Sequence, residues 1–265
     1  HWRKLLTKNS SARIGPTVAF AGTVSVTHEA IDVFCHVLPP TFSRAVQAAL
    51  NSPSVMFERA TRIPVMANLT NRLRLMEEFP GYRQIISLSG PPLEVLAPSN
   101  SVALAAMAND EMAEWVAASN GRIWGFAAAL PLNAPAARIE EAYRAVRKCG
   151  AVGVQIYTSV LGHALDELRF EPLFSAFAQL DVPIWLQPIR GMQTPDYPVE
   201  SASKYDLWWA IGWPYETTLA MARLVFAGVF ERWPDLKIIA HHAGGFMPML
   251  AGRMGPGMEL LGTRN

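Results

Sequence analysis

The chain has 265 residues, 51% of them hydrophobic, which is enough apolar surface for a large core and favours one domain over two. Its 23 basic and 22 acidic residues nearly cancel, so no net field favours nucleic acid, an anionic membrane or a polyanionic substrate. The composition does not exclude a small ligand that carries a carboxylate.

The first 30 residues are predicted to be an N-terminal arm that precedes one domain at residues 31–265. An apolar stretch from Val18 to Val26 is interrupted by a Gly-Thr pair, which argues against a secretory signal. No uncharged run of about 18 apolar residues occurs, so no membrane partner is expected. Cys35 and Cys149 lie in apolar patterns, which predicts buried thiols in a reducing, cytoplasmic compartment.

From residue 31 onward, short β-rich runs alternate with longer segments of helical period, which is typical of βα units that feed a parallel sheet. Several of the runs are apolar on both faces, as parallel strands covered on both sides should be. The predicted strands are Ile31 to Leu38, Gln84 to Ser89, Ile123 to Leu130, Val152 to Tyr157, Pro183 to Pro188 and Leu236 to His242.

The helices between these strands have recognisable ends. Asn133 is predicted to cap a helix that has Pro135 in its first turn and stops at Gly150. Pro172 opens a second helix with an apolar stripe, and Thr217 to Phe230 is predicted to form a third.

Two long connections interrupt the alternation of predicted strands and helices, from about Pro39 to Tyr82 and from Ile189 to Tyr215. Both follow strands, and in a barrel the loops after strands gather at the carboxyl-terminal mouth, where active sites are built. His36 lies in the first predicted strand, and His241 and His242 end the sixth. Because neighbouring strand residues point to opposite faces, only one of the last two should line the interior.

Several stretches together resemble the amidohydrolase-related family of aminocarboxymuconate semialdehyde decarboxylase. They span about residues 31 to 255 and keep one order along the chain. They are Ile31 to His36, Asn109 to Ala113, Gly150 to Tyr157, Pro183 to Pro188, Gly212 to Thr218 and Leu236 to Pro248. The resemblance implies an α/β fold of the (β/α) TIM-barrel type, here of about six βα units.

The resemblance also implies a divalent metal, zinc or manganese, held by a His-x-His pair on the first strand, a fifth-strand histidine and a late aspartate. In this sequence Phe34 and Gln187 occupy two of these positions, the aspartate has no counterpart, and His36 is the one implied metal ligand that remains. Because phenylalanine offers no donor and glutamine is a weak one, tight metal binding is not expected unless another segment contributes.

For the rest of the site the resemblance implies His242 as the catalytic histidine, with His36 beside it. It implies Arg253 as an arginine that reaches a substrate carboxylate across a dimer interface, and either Arg59 or Arg62 as a second one. Trp208 and Trp209 lie where the family places a tryptophan near the ligand, and Gln187 is a further substrate contact.

The function expected from this resemblance is a lyase of the decarboxylase type that acts on a small unsaturated or aromatic carboxylic acid. Alternatives are a metal-free acid/base enzyme for dehydration, isomerisation or cyclisation, a catalytically silent ligand-binding relative, and a metal-dependent hydrolase. Since six βα units leave open sheet edges, a homodimer or a longer parent chain is also predicted.

Overall fold

The computed structural model describes residues 29–50 and 55–261. Six parallel strands in this part form one sheet: β1 (Ala30–Val37), β2 (Tyr82–Leu88), β3 (Ile123–Ala128), β4 (Gly153–Tyr157), β7 (Ile184–Gln187) and β8 (Ile238–Ala240). Between β4 and β7 lies an antiparallel hairpin of β5 (Ser159–Val160) and β6 (His163–Ala164). The sheet order is β1-β2-β3-β4-β7-β8, so every neighbour in the sheet is also the next long strand of the chain.

Helices connect these strands and cover the convex face of the sheet. They are α1 (Pro40–Ala49), α2 (Val55–Thr61), α3 (Pro64–Ala67), α4 (Leu69–Glu77), α5 (Pro98–Ala118), α6 (Pro135–Cys149), α7 (Glu171–Leu180), α8 (Leu207–Ala210), α9 (Gly212–Phe226), α10 (Val229–Arg232), α11 (Met247–Met254) and α12 (Pro256–Leu261). Short 3-10 turns lie at Leu93–Val95 and Leu168–Phe170. The result is a curled half-barrel, which confirms the predicted fold class.

The six predicted strands are confirmed, with ends displaced by a few residues. The β5–β6 hairpin was not predicted, because strands of two residues carry no readable period. The predicted start of the domain at residue 31 lies one residue inside β1, and most of the predicted N-terminal arm lies outside the described residues.

Three local predictions are wrong. Asn133 does not cap α6: its side-chain amide instead donates to the backbone oxygens of Glu94 at 3.2 Å and Leu96 at 2.9 Å. The helix predicted from Thr217 to Phe230 begins at Gly212 and breaks after Phe226. Cys35 is buried as predicted, but the Cys149 thiol is only half-buried, and both cysteines are free.

The two long connections contain helices of their own. The first holds α1 to α4, and the second holds α8 and the start of α9. In the part of the chain that the structure describes, none of these or the other helices is both long enough and apolar enough to cross a membrane.

The indole of Trp185 fills the concave side of the sheet. It projects from β7, is 1% exposed, and donates from Nε1 to the backbone oxygen of Val33 in β1 at 2.6 Å. Gly153 in β4 leaves room for it, since a Cβ there would lie 2.1 Å from a ring carbon of Trp185 and 2.7 Å from the Pro183 oxygen. The absent side chain at Gly153 thus lets the sheet curl around the indole.

We expect Gly153→Ala to lower the free energy of unfolding by about 1–3 kcal/mol or more, because the added methyl group must displace the Trp185 ring from a packed interior. Urea denaturation followed by circular dichroism measures this change.

The matched control is Gly252→Ala in α11, where the added Cβ would meet no atom of the described structure within 4 Å apart from its chain neighbours and the backbone of its own helix. There the same change should be neutral or stabilise the fold by up to about 1 kcal/mol, since alanine restricts the unfolded chain more than glycine does. Equal effects of the two substitutions would contradict this packing account.

Candidate active site

A cavity of about 830 Å³ opens at the carboxyl ends of the parallel strands. Its walls come from the strand ends and from the two long connections, as predicted for loops at the mouth of a barrel. Among the side chains that line it are His36, Arg59, Ser89, Tyr157, Gln187 and Trp208. Four predicted site residues, from β1, α2, β7 and α8, therefore face one space.

Two imidazoles lie together at the inner end of the site. The rings of His36 and His241 are stacked, with centroids 5.6 Å apart and planes 11° apart. His36 Nδ1 is 3.1 Å from the Ser87 hydroxyl. Burial lowers the pKa of His36 to about 4 and the pKa of His241 to about 3, so both rings are neutral near pH 7.

The hydrogen bonds of His241 determine its tautomer. Its Nδ1 lies 2.7 Å from the backbone oxygen of Leu186. Because a carbonyl oxygen can only accept, Nδ1 carries the proton and Nε2 presents a lone pair. This Nε2 is buried and has no hydrogen-bond partner among the residues that the structure describes.

His242 lies on a left-handed turn and not on a strand. β8 ends at Ala240, and His242 and Ala243 have φ values of 54° and 53°. The prediction that these histidines end a regular strand is therefore wrong, and the alternation of strand side chains does not apply to them. The exposed His242 ring stacks on Trp213, a cavity-lining residue, with centroids 6.0 Å apart.

The turn that follows needs glycine for a steric reason. Gly245 has a φ of 64°, and a Cβ there would lie 2.4 Å from the Pro214 oxygen. The glycine therefore allows the two backbones to approach closely at this position. It brings the start of α11 against α9, where the Phe246 N–H donates to the Thr218 hydroxyl at 2.7 Å.

Of the three predicted arginines, one lines the cavity and two do not. Arg59 lines the cavity, and its guanidinium is 3.8 Å from the carboxylate of Asp206, with both side chains about half exposed. Arg62 is exposed at the end of the same segment and is not part of the cavity wall. Arg253 is exposed on α11, also outside this wall. Of the two alternatives in the first long connection, the geometry selects Arg59.

The tryptophans form one cluster, but they do not share one role. Trp208 is buried and lines the cavity together with Trp213, and the two rings meet edge to face at 5.7 Å. Trp209 packs on the other side of Trp213 at 6.4 Å and is 41% exposed. Trp213 donates from Nε1 to the Arg190 backbone oxygen at 3.1 Å, which fixes its ring.

The residues present do not fit a tightly bound zinc or manganese ion. At the expected first ligand position, the Phe34 ring packs 4.0 Å from the His241 ring and offers no donor atom. Gln187 offers one neutral amide oxygen. In the described ranges, 29–50 and 55–261, no group of three or more His, Cys, Asp or Glu side chains is arranged to hold a metal ion.

Sequence reasoning left several wall residues unassigned. Trp213 lies within the Gly212 to Thr218 stretch that carries the resemblance. The resemblance could therefore have identified it as a candidate cavity residue, as it did Trp208. Tyr157 ends a predicted strand, and such a position faces the mouth of a barrel. His241 was one of two adjacent candidates, and the sequence alone did not decide which of them faces inward.

A buried acid lies behind the Tyr157 side of the wall. Glu94 is 3% exposed, and neither carboxylate oxygen bonds to another residue of the described structure. Burial raises the pKa of Glu94 to about 7. Burial also raises the pKa of the Tyr157 phenol, and the Glu94 carboxylate adds to this through its charge. Tyr157 is thus held as a neutral hydroxyl at the cavity wall.

The chain matches one protein family, and the relatives found by comparison include several decarboxylases. A family model described as amidohydrolase matches residues 31–258. A 2-amino-3-carboxymuconate-6-semialdehyde decarboxylase of Dictyostelium discoideum is 32% identical over 162 residues, which cover 61% of this chain and 44% of that protein. A gamma-resorcylate decarboxylase of a Polaromonas species is 34% identical over 186 residues, which cover 67% of this chain and 56% of that protein.

A solved structure agrees with the fold. The dihydroxybenzoic acid decarboxylase of Polaromonas, with bound manganese and the inhibitor 2-nitroresorcinol, aligns with a TM-score of 0.68 and 25% identity over 84% of this chain and 68% of that chain. The present chain spans about half the length of the two curated relatives.

The raised pKa of Glu94 predicts a pH-dependent loss of stability. The folded state holds the Glu94 proton up to about pH 7, whereas the unfolded carboxyl releases it near 4.5. Folding therefore takes up a proton between these values, and this group destabilises the fold progressively as pH rises through that window, by about 3 kcal/mol in total. Glu94→Gln should remove this loss, so the variant should exceed the wild type in stability at pH 8 and match it at pH 4.5.

Urea denaturation at several pH values measures the difference in the free energy of unfolding between Glu94→Gln and the wild type. Because both proteins contain the buried histidines, the contribution of those histidines cancels in this difference. Glu114→Gln, at an exposed position of α5, is the control and should show a small difference that does not change with pH. If the stability difference between Glu94→Gln and the wild type does not change with pH, the Glu94 carboxyl ionises in the folded protein as it does in the unfolded chain.

Proposed function

The chain belongs to the amidohydrolase family, and from that premise we propose that it is a carboxy-lyase that removes carbon dioxide from a small aromatic or unsaturated carboxylic acid. The observation that carries this proposal is the cavity at the strand ends, where His36, Gln187, Arg59 and Trp208 face one space. The decarboxylase names of the relatives support the same reaction type.

Substrate binding follows from the charges and rings of the wall. Arg59 binds the substrate carboxylate, because a guanidinium donates two parallel hydrogen bonds to the two oxygens. Its ion pair with Asp206 is long, at 3.8 Å, and half exposed, so a carboxylate ligand competes with it readily. Trp208 and Trp213 supply flat apolar surface that covers an unsaturated chain or ring.

In the proposed reaction His242 supplies the proton: its ring is exposed and is not part of the cavity wall, but it stacks on the wall residue Trp213. The protonated imidazole gives its proton to the carbon that bears the carboxylate, the carbon-carbon bond breaks with its electron pair left on the substrate, and carbon dioxide leaves. Burial lowers the pKa of His242, which makes its protonated form a stronger acid. Because His36 and His241 are neutral, the substrate itself must delocalise the developing negative charge, as an aromatic or conjugated system does.

A second candidate is acid/base chemistry without loss of carbon dioxide, or ligand binding without turnover. The specific observation that favours it is the identity of Phe34 and Gln187, since the resemblance implies metal ligands at these two positions and neither residue is a good one. Release of carbon dioxide distinguishes the first proposal from both alternatives.

We propose in addition that the protein forms a homodimer in a cytoplasmic setting. The exposed position of Arg253 on α11 supports the dimer, because a side chain outside its own cavity can reach the cavity of a neighbour. The unpaired outer edges of β1 and β8 within the described sheet support it as well.

Incubation of the protein with a panel of hydroxybenzoates and conjugated dicarboxylates should release carbon dioxide from at least one member. We expect His242→Ala to lower kcat for that substrate by 10²- to 10⁴-fold, the usual contribution of a proton donor. Carbon dioxide release and product appearance on a chromatogram are the two measurements.

His163→Ala is the matched control, since this histidine lies in the β5–β6 hairpin, is 44% exposed and pairs with Glu167. It should retain wild-type kcat. A wild type that is inert on the whole panel, or a His242→Ala variant that is as active as His163→Ala, would count against the proposal.

A further inference from the structure

We propose that His241 and Gln187 form an acceptor pair that binds a hydrogen-bond donor on the substrate, a hydroxyl or ring N–H, and so determine which acids the cavity takes. This inference rests on the proposed function, because it concerns the substrate of that same cavity. It adds the residues that recognise a second group of the substrate, apart from the carboxylate.

The first step is that both side chains present acceptor atoms without partners. Gln187 is 8% exposed and His241 is 5% exposed. The Oε1 atom of Gln187 and the Nε2 atom of His241 are each buried and bond to no other residue in the described part of the chain. A buried acceptor without a donor loses its hydration and receives nothing in return, so such atoms call for a ligand that donates.

The second step is that the two acceptors are neighbours. β7 and β8 pair in register up to Leu186 and Ala240, so Gln187 and His241 are the next residues on the two adjacent strands. The hydrogen bond from His241 Nδ1 to the Leu186 oxygen ties the two strand ends together. His241 is not itself a wall residue, but its ring stacks on that of His36, which lines the cavity beside Gln187. We infer from this placement that one small donor group meets both atoms.

The third step is that these two atoms, in the orientation that the structure shows, offer a carboxylate no hydrogen-bond donor. A lone pair on a neutral imidazole and an amide oxygen both repel an anion, and the position of Nδ1 leaves no N–H of His241 free to face it. Hydroxyl groups also line the cavity, from Tyr157, which is the register partner of Gln187 on the neighbouring strand β4, and from Ser89 after β2. Donors for a carboxylate therefore come from these hydroxyls and from Arg59, and not from the two acceptor atoms.

The test compares hydroxybenzoates with fluorobenzoates by isothermal titration calorimetry. Fluorine is small and occupies the same ring position, but it cannot donate, and the 2-, 3- and 4-substituted pairs cover the orientations of the ring. At one position or more, we expect the hydroxy compound to bind about tenfold more tightly than its fluoro partner, which corresponds to ~1.4 kcal/mol. This measurement uses the wild-type protein and does not depend on turnover.

Gln187→Leu and Gln187→Met should then reduce the preference to within about threefold, and the two variants guard against loss of folding in one of them. Gln179→Leu, at an exposed position of α7, makes the same chemical change away from the cavity and should keep the preference. Chelation with EDTA should also leave it unchanged. A preference that disappears on chelation would mean that a bound ion reads the hydroxyl group, and this would overturn the inference.

The outcomes separate the two proposals. If hydroxy and fluoro compounds bind equally at all three positions, the acceptor pair is refuted while the carboxylic acid site stands. If the preference persists in both Gln187 variants, other residues recognise the donor and the inference fails. If no benzoate binds at all, the proposed function fails and this inference fails with it.

Discussion

The hydrogen bond from the Trp185 indole to the Val33 oxygen holds together two strands that are not neighbours in the sheet. Four strand spacings of about 4.8 Å would put β1 and β7 about 19 Å apart in a flat sheet, which is far beyond the reach of one side chain. The indole can bridge them only because the sheet curls and because Gly153 has no side chain. His36 at the end of β1 and Gln187 at the end of β7 share a cavity as a consequence of this curvature.

The same curvature creates the electrostatic character of the inner cavity. His36 and His241 are buried against each other and against Phe34, so the protonated form of either ring would lose hydration without gaining a counter-charge. The charge of Arg72 adds to this effect on His36, whose backbone oxygen accepts a hydrogen bond from the Arg72 guanidinium at 2.5 Å. Two neutral imidazoles are therefore a direct result of the packing, and for this reason the proposed reaction assigns proton donation to the exposed His242.

The sequence predicted the six strands and the cavity-forming connections because both depend on local pattern. Short runs that are apolar on both faces and rich in β-branched residues are typical of strands within a covered parallel sheet, and connections after such strands start at the same end of the barrel. The choice of Arg59 over Arg62 could not be made in this way. It depends on the direction of a short helix, α2, whose side-chain directions follow from its packing and not from its composition.

The roles of His241 and His242 show why the site was harder to predict than the fold. An alternating pattern assigns opposite faces to adjacent residues only while the backbone stays extended. Here it leaves that conformation at His242, and a positive φ at a residue other than glycine, asparagine or aspartate is not foreseen from sequence. His241 faces inward towards His36, and His242, on the left-handed turn, stacks on Trp213, so the two adjacent rings stay 6.0 Å apart in one region.

Phe34 and Gln187 together explain how a site of this family can be reorganised without loss of its shape. Phe34 fills the space beside His241 with a ring, and Gln187 keeps a polar atom at the end of β7 but reduces it to a neutral acceptor. A cation at this place would attract the substrate carboxylate, whereas neutral acceptors repel it. In the proposed orientation the carboxylate lies towards Arg59 and the donor group towards β7 and β8, because neutral acceptors at the inner end offer the anion no counter-charge.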